Sequence, residues 1–437
     1  MSHADTLIVS PGGNLRGTVE VPGDKSVSHR AVMFGALADG VTEIRDCLMG
    51  EDVIATMNAF RAMGVSIEQI RGGEIRVNGV GVDGLKNPPT PLNLGNSGTS
   101  MRLMCGLLAG AGINAEMTGD ASLSSRPMRR VSDPLTKMGA SIETSADGTP
   151  PLRINATREL SAIDYALPVA SAQVKSAILL AALFARGKTI VREPAPTRDH
   201  TERMLGAFGV DLEVDAGNVS IEGGQRLTAT SVQVPSDISS AAFFLVGAAI
   251  SEDSQLVLPN IGVNPTRTGI IDILLEMNVG LTVGNRREQG GEPIADLEVR
   301  GGGLRGCEVP QRLVPLAIDE FPAIFVAAAC AAGTTVVRGA EELRHKESDR
   351  IAVMATGLRS LGIELEEFSD GIAITGGKIC GGEVDACDDH RIAMAFAMAA
   401  LRATGPIKIR NAAAIATSFP GFVELAKAAG LGIASSA

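Results

Sequence analysis

Several short polar stretches of this 437-residue chain carry side chains suited to gripping anions or moving protons. Lys25, Ser26 and Arg30 stand together in GDKSVSHRA, at the entry of an apolar run where a phosphate or carboxylate would meet helix-end N–H groups. Asn96-Ser97-Gly98-Thr99 offers a Gly through which backbone N–H groups can approach an anion closely. Arg126 precedes a Pro, which favours an extended backbone there, and Arg198 in TRDHTE stands just ahead of a helix. ELRHKESDRI packs Arg344, His345, Lys346, Glu347, Asp349 and Arg350 into seven positions. Alone, such a run reads as a charge-paired, solvated helix start. Arg391 follows Asp388, Asp389 and His390; with Cys387 these are possible metal ligands, but their spacing matches no zinc or calcium pattern and no metal is expected. Asp319 begins the apolar helix IDEFPAIFVAAACAA. There it is either a helix cap or, facing a cleft dense in Lys and Arg, an ionised carboxylate able to act as a base. A P-loop around Lys25 is excluded, because Gly17 and Gly23 are wrongly spaced and Asp24 intervenes.

Repetition supplies the elements that must position these groups. Amphipathic helices closing at a small residue and re-entering a strand recur near Gly64, Gly139, Gly209, Asn278, Gly362 and Gly430. The marks fall about 70 to 85 residues apart, the scale of a supersecondary unit, and Gly or Asn suits the left-handed position that ends a helix. Interleaved with them, polar clusters run straight into Ala/Leu/Met-rich helices starting from Gly23, Gly95, Ser171, Ser236, Ile318 and Asp388. Each cluster offers cap side chains, and each following helix is apolar on nearly every side, which predicts burial. The fold class is therefore α/β, with six copies of a two-helix unit, three per half. Parallel buried helices would gather their N-termini, and the partial positive charge of those ends, at one place.

Composition bounds the rest. Hydrophobic residues at 45% with charged residues at 20% indicate a globular chain with a sizeable core, long enough for two large domains. A net charge of −11, Trp 0 and Tyr 1 argue against a general nucleic-acid binder, while leaving room for a local Arg/Lys cluster. The scattered cysteines form no CxxC pair and read as free thiols in a reducing compartment. No basic-then-apolar leader and no membrane-spanning apolar run is evident, so a cytoplasmic protein is expected.

In order along the chain, PGDKSVSHRA, LGNSGTSMRL, SSRPM, SAQVKSA, IDEFPAI, HKESDRI and DDHRIAMAF resemble the motif series of the 5-enolpyruvylshikimate-3-phosphate synthase family, from about residue 10 to the C-terminus. The resemblance implies two globular domains of three βαβαββ-type repeats each, an inside-out α/β barrel in which the helices lie inside. It places one domain at 22–236 and the other at 1–21 plus 237–437, with the active site in the cleft between them. It implies that Lys25, Ser26, Arg30, Ser171, Ala172, Gln173, Arg198, Asp319 and Lys346 bind shikimate 3-phosphate. Lys25, Gly98, Arg126, Gln173, Arg350 and Arg391 are implied for phosphoenolpyruvate. The family chemistry protonates C3 of phosphoenolpyruvate, adds the 5-hydroxyl to C2, and expels phosphate as C3 loses a proton. In it Glu347 resembles the general acid and Asp319 the base, assisted by Lys25. No cofactor, metal, nucleic acid or membrane is implied, and the enzyme is expected to be a monomer.

The chain departs from the commonest family pattern at SMRLM, where many relatives have Pro after the Arg, and at Thr417, where others place a phosphate-binding Lys. Both features, with TRDHTE and GDASL, resemble the subgroup that tolerates glyphosate, although Gly98 is not the Ala associated with strong tolerance. The sister family, which transfers enolpyruvate to UDP-N-acetylglucosamine, usually carries a catalytic Cys just before its Arg-Pro. Here Gly119 to Arg126 reads GDASLSSR. A non-enzymatic RNA-binding protein built from the same repeat would need a basic face and exposed aromatics, which the composition opposes.

Overall fold

The computed structural model describes residues 5–157, 159–215 and 217–436. Two compact units emerge, one of Met1–Pro22, Pro235–Glu288 and Pro293–Ala437, the other of Gly23–Val234 with Gln289–Glu292. The short segment Gln289–Glu292 joins the second unit, where the Glu292 carboxylate meets His200 Nδ1 at 2.7 Å. Nothing in the sequence marks that exchange.

Three buried helices form the heart of the Gly23–Val234 unit: Lys25–Leu37, Gly98–Gly110 and Ala172–Ala182. Their N-caps are Asp24, Ser97 and Ser171, each accepting a backbone N–H three residues on, so every start is satisfied from its own polar cluster. Direction follows from side-chain register. Gln173 donates to Thr99 Oγ1 at 3.1 Å at the two starts. A Cβ on Gly106 would fall 2.0 Å from Ala177 O halfway along, and one on Gly110 would fall 2.4 Å from the Phe184 ring near the ends. Gly98–Gly110 and Ala172–Ala182 therefore run parallel. Glycine at 106 permits backbone approach that any side chain would block.

The other unit repeats the arrangement with Ile238–Ile250, Phe321–Cys330 and His390–Ala399. Every residue of Ile238–Ile250 is buried. Its first turn is tied to the second helix by a short Ser239 to Glu320 hydrogen bond, and Arg391 Nη1 donates to Asp319 O at 3.1 Å. Asp237 and Asp389 cap their helices. The expectation that Asp319 begins the middle helix is corrected here. That helix starts at Phe321, and its N-cap position is held by Glu320, whose side chain makes no cap hydrogen bond. Pro322 in the first turn brings no N–H, which removes one donor that a cap would have served.

Sheets of three or four strands cover these helices, one per repeat, and two further two-stranded pairs lie in the Gly23–Val234 unit. In each four-stranded sheet of the Gly23–Val234 unit, a short strand pairs parallel to a second strand, which pairs antiparallel with the second strand of a hairpin, as in Ser231–Gln233, Val41–Arg45, Glu74–Asn78 and Ser66–Arg71. Strands such as Val41–Arg45 alternate exposed and buried residues, so one face meets the helices and the other meets solvent. In the other unit Arg16–Thr18 starts one such sheet beside Gln255–Gly262. A single parallel bridge, Glu308 to Val336, stands where the next sheet would have its first strand. Thr6–Val9 lies between Ile407–Arg410 and Ile433–Ser436, taking the place of a missing hairpin strand in the last repeat.

All six helix-closing positions read from the sequence have the left-handed backbone: Gly64, Gly139, Gly209, Asn278, Gly362 and Gly430 have φ of 94°, 99°, 85°, 63°, 88° and 118°. The six cysteines are free thiols. Among the described residues no helix is long and apolar enough to cross a membrane, and no cluster of His, Cys, Asp and Glu could hold a metal ion.

Candidate active site

Two kinds of position carry the polar residues singled out above: the first turn of a buried helix, and the loop before the amphipathic helix that follows it. In the Gly23–Val234 unit, Lys25 opens its helix with Nζ 3.1 Å from Asp52 Oδ2, and its side chain stays 18% exposed. Arg30, one turn further, is buried. Its Nε donates to Thr201 Oγ1 at 2.7 Å and its Nη2 to Ser176 Oγ at 3.0 Å, while Nη1 reaches the backbone oxygen of Ser26 at 2.9 Å. Burial draws the Arg30 guanidinium down to about 10, Glu202 and Asp24 hold it up, and nearby Arg198 pushes it down again. It remains a cation at neutral pH. Arg198 lies in the loop before the helix His200–Ala207.

The Gly98 turn is the densest cationic point of this unit. A Cβ on Gly98 would lie 3.0 Å from Arg126 Nη1 and 3.1 Å from Arg102 Nη1, so two guanidinium groups flank the same helix end. Arg126 Nη2 is steadied by Asn96 Oδ1 at 2.6 Å and Ser122 Oγ at 3.2 Å. Gln173 accepts from Arg102 Nη1 at 2.5 Å while donating to Thr99, which ties the start of Ala172–Ala182 to this cradle. Ser171 caps that helix and Ala172 is its first residue. Backbone N–H groups, helix-end polarity and two buried guanidiniums together suit a phosphate or carboxylate. Beneath them His29 is sealed among Thr56, Ser97 and Ser100. Burial, then the charges of Lys25 and Arg30, keep its pKa well below the usual histidine value, so it is neutral.

In the other unit Arg350 is the hub. Its Nε meets Asp389 Oδ2 at 2.8 Å, Nη2 meets Glu347 Oε2 at 2.6 Å, and Nη1 meets Asp319 Oδ1 at 3.4 Å. Burial disfavours its charge, but Asp389, Glu347 and Asp319 outweigh that and raise its pKa. Lys346 Nζ stands 3.5 Å from Asp319 Oδ1 and 2.9 Å from Glu342 Oε1. Arg391 packs against the backbone oxygen of Asp319. Asp319, Lys346, Glu347, Arg350 and Arg391 thus share one cluster, in which a carboxylate pair and three cations interlock. It can bind an anion, hold a hydroxyl and pass protons.

Some neighbours in sequence do not take part. Arg344 turns away to Asp349, Glu367 and the backbone oxygens of Phe368 and Ser369, and His345 is exposed. Asp349 caps the helix Arg350–Ser360. Thr417 Oγ1 donates to Ala414 O. Other groups were not foreseen. Arg102 and Lys175 lie inside apolar helices, where a charge must be paired to be tolerated, and that oddity was the available signal. Asp389, seen in the sequence as a possible metal ligand, instead orients Arg350, accepts from Ser348 Oγ and caps its own helix.

The family model for EPSP synthase (3-phosphoshikimate 1-carboxyvinyltransferase) matches residues 9–425. The 3-phosphoshikimate 1-carboxyvinyltransferase of Methylococcus capsulatus is 60% identical over 423 residues, covering 97% of each chain. That of Nitrosococcus oceani is 58% identical over 431 residues, covering 98% of this chain and 97% of its own. Among solved structures, EPSP synthase from Acinetobacter baumannii superposes with a TM-score of 0.90 at 55% identity, covering 99% of this chain and all of that one. The enolpyruvyl transferase NikO from Streptomyces tendae shares the fold at a TM-score of 0.81 and 20% identity, covering 99% of each chain. With a family model spanning nearly its whole length and relatives this similar end to end, the chain belongs to the EPSP synthase family.

Proposed function

We propose that this chain transfers the enolpyruvyl group of phosphoenolpyruvate to the 5-hydroxyl of shikimate 3-phosphate and releases phosphate. The activity is that of its family, an enzymatic step of the shikimate pathway. The observation that carries the residue-level reading is the Gly98 turn, where two guanidiniums flank a helix start so closely that a Cβ would lie 3.0 and 3.1 Å from them. Such a place binds an anion of small radius and rejects added bulk.

In this reading Gly98, Arg126 and Gln173 hold phosphoenolpyruvate, with Lys25 shared between the substrates and Arg350 and Arg391 supplying further cations. Lys25, Ser26, Arg30, Ser171, Ala172, Gln173 and Arg198 bind shikimate 3-phosphate, joined by Asp319 and Lys346. Arg102, which braces both Gln173 and the Gly98 turn, belongs with them as a support. Asp319 takes the proton of the 5-hydroxyl as its oxygen bonds to C2. Glu347 delivers a proton to C3, and a proton leaves C3 again as the C2–O bond to phosphate breaks. Both carboxylates rest against Arg350. An anionic substrate drawing on that guanidinium loosens its hold on Asp319 and Glu347, so binding itself frees the groups that move protons. Every named residue comes from one copy of the chain, and the chemistry requires no cofactor. The same reading places the enzyme in the cytoplasm, acting as a monomer.

The test is phosphate release. With phosphoenolpyruvate and shikimate 3-phosphate, release is expected in equal amount to the enolpyruvyl product. With UDP-N-acetylglucosamine as acceptor none is expected, and the reverse pattern would overturn the assignment.

A further inference from the structure

Lys175 is a buried charge that the chemistry above does not use. It sits on the helix Ala172–Ala182, 1% exposed, with Nζ 2.8 Å from Glu193 Oε2 and 2.6 Å from Glu202 Oε1. Taking an ammonium and two carboxylates out of water is rarely the most stable way to fill a core. The placement of the two glutamates supplies a different reason. Glu193 directly follows the strand Lys188–Arg192, and Glu202 lies in the first turn of the helix His200–Ala207. Between them runs a segment that is neither helix nor strand and carries Arg198.

Further bonds tie this segment down. The second oxygen of Glu193 accepts a short hydrogen bond from Thr197 Oγ1, one residue before Arg198. Thr201, next to Glu202, accepts from Arg30 Nε at 2.7 Å and lies 2.7 Å from Ser176 Oγ, beside Lys175. One ammonium therefore holds both ends of the Arg198 loop and adjoins the hydroxyl pair that aims Arg30. Burial raises the pKa of the Glu202 carboxyl and Lys175 opposes that rise, and Glu202 is the foremost group sustaining the buried Arg30 cation.

We propose that Lys175, Glu193 and Glu202 are positioning residues for the acceptor: a buried clamp that closes the loop 194–199 and so fixes Arg198 and Arg30 for the acceptor's phosphate. The proposal rests on the reading of Arg198 as a phosphate ligand given above. Because the clamp acts through Arg198, its loss should weaken one substrate selectively.

Glu193→Ala is the informative variant, since Lys175 keeps Glu202 and no buried charge is orphaned. A charge-assisted hydrogen bond corresponds to roughly a tenfold to hundredfold change in affinity. Glu193→Ala is therefore expected to raise KM for shikimate 3-phosphate about tenfold, with kcat and KM for phosphoenolpyruvate at saturating acceptor within about threefold of wild type. Glu193→Gln, whose amide oxygen can accept from Lys175 while its NH2 group donates to the Thr197 hydroxyl, should restore it. Arg198→Ala should show the same selective rise, and the double variant Glu193→Ala/Arg198→Ala should be no worse than Arg198→Ala alone. A selective effect of Arg198→Ala with a silent Glu193→Ala would overturn the clamp and leave the phosphate ligand standing. A silent Arg198→Ala would overturn the ligand reading, and the clamp with it. Additive losses, or parallel falls in kcat, both KM values and melting temperature, would show a structural role only and also overturn the proposal.

Discussion

Replacing Asp319 by Ala separates chemistry from stability, because the structure limits what the side chain can contribute to folding. It is not the N-cap residue of the helix that follows, which starts at Phe321 after Glu320, so it does not hold the position where a cap is worth about 1 kcal/mol. Its two ion pairs, at 3.4 Å to Arg350 and 3.5 Å to Lys346, are longer than a charge-assisted hydrogen bond. Neither partner is stranded by the change: Arg350 keeps Asp389 and Glu347, and Lys346 keeps Glu342. With Asp319 itself partly exposed and both partners left paired, losing these two long contacts costs about 1 kcal/mol. For a unit of this size that corresponds to a melting temperature lower by about 2 to 4 °C. Loss of a base in contact with the reacting hydroxyl costs roughly two to four orders of magnitude in rate. The assay is phosphate release at saturating substrates, well below the melting transition, alongside thermal unfolding of the same preparation. Asp319→Asn, nearly isosteric and unable to take up the proton, should fall equally far. Affinity for phosphoenolpyruvate should survive, because its cations are untouched. Turnover of both variants within about fivefold of wild type would refute the assignment of Asp319 as base.

Two further expectations concern the packing below the site. His29 is held neutral in the folded protein, its pKa lying below 6.5, so as pH falls through about 6.5 the unfolded chain takes up a proton that the folded one refuses. This residue's share of stability is complete above that pH and is lost below it, at up to about 1.4 kcal/mol per pH unit; unfolding free energies of wild type and His29→Asn between pH 7 and 5 should converge on acidification, and parallel curves would contradict the buried neutral ring. Gly106→Ala would set a Cβ 2.0 Å from Ala177 O, backbone against backbone. Separating the two parallel helices should cost about 1 to 3 kcal/mol, read as a lowered melting temperature, and an unchanged melt would contradict the contact.

Much of this organisation was legible because local chemistry and architecture coincide. A residue that must adopt φ near +60° to +120° before a strand is nearly always Gly or Asn, and six such marks delimited the repeats. Helices apolar all round could only be buried. Asp319 shows where reading fails: a carboxylate at the head of an apolar run looks like a cap, and only the coordinates show Glu320 and Pro322 beginning the helix while Asp319 turns toward Arg350. Arg102, Lys175 and Asp52 were missed for another reason. Their meaning lies in partners distant along the chain, Gln173, Glu193 with Glu202, and Lys25, and no periodicity announces such pairs. Lys346, Glu347 and Arg350 drew notice as a dense run, but the run alone could not say that Arg344 and His345 face elsewhere.

The seating of Thr6–Val9 between Ile407–Arg410 and Ile433–Ser436 bears on how the chain is made. Thr6 pairs with Arg410 and Ser436, so the strand is made long before either of its neighbours. At about 5 to 20 residues per second it waits roughly 20 to 80 s with both edges unpaired. The three repeats of Gly23–Val234 contain most of their own partners and can close during that interval, whereas the remaining unit can complete this sheet only once Ile433–Ser436 has been made. Meanwhile the backbone N–H and C=O groups along both edges of this strand, and the side chains of Leu7 and Val9 that end up buried, are left without partners.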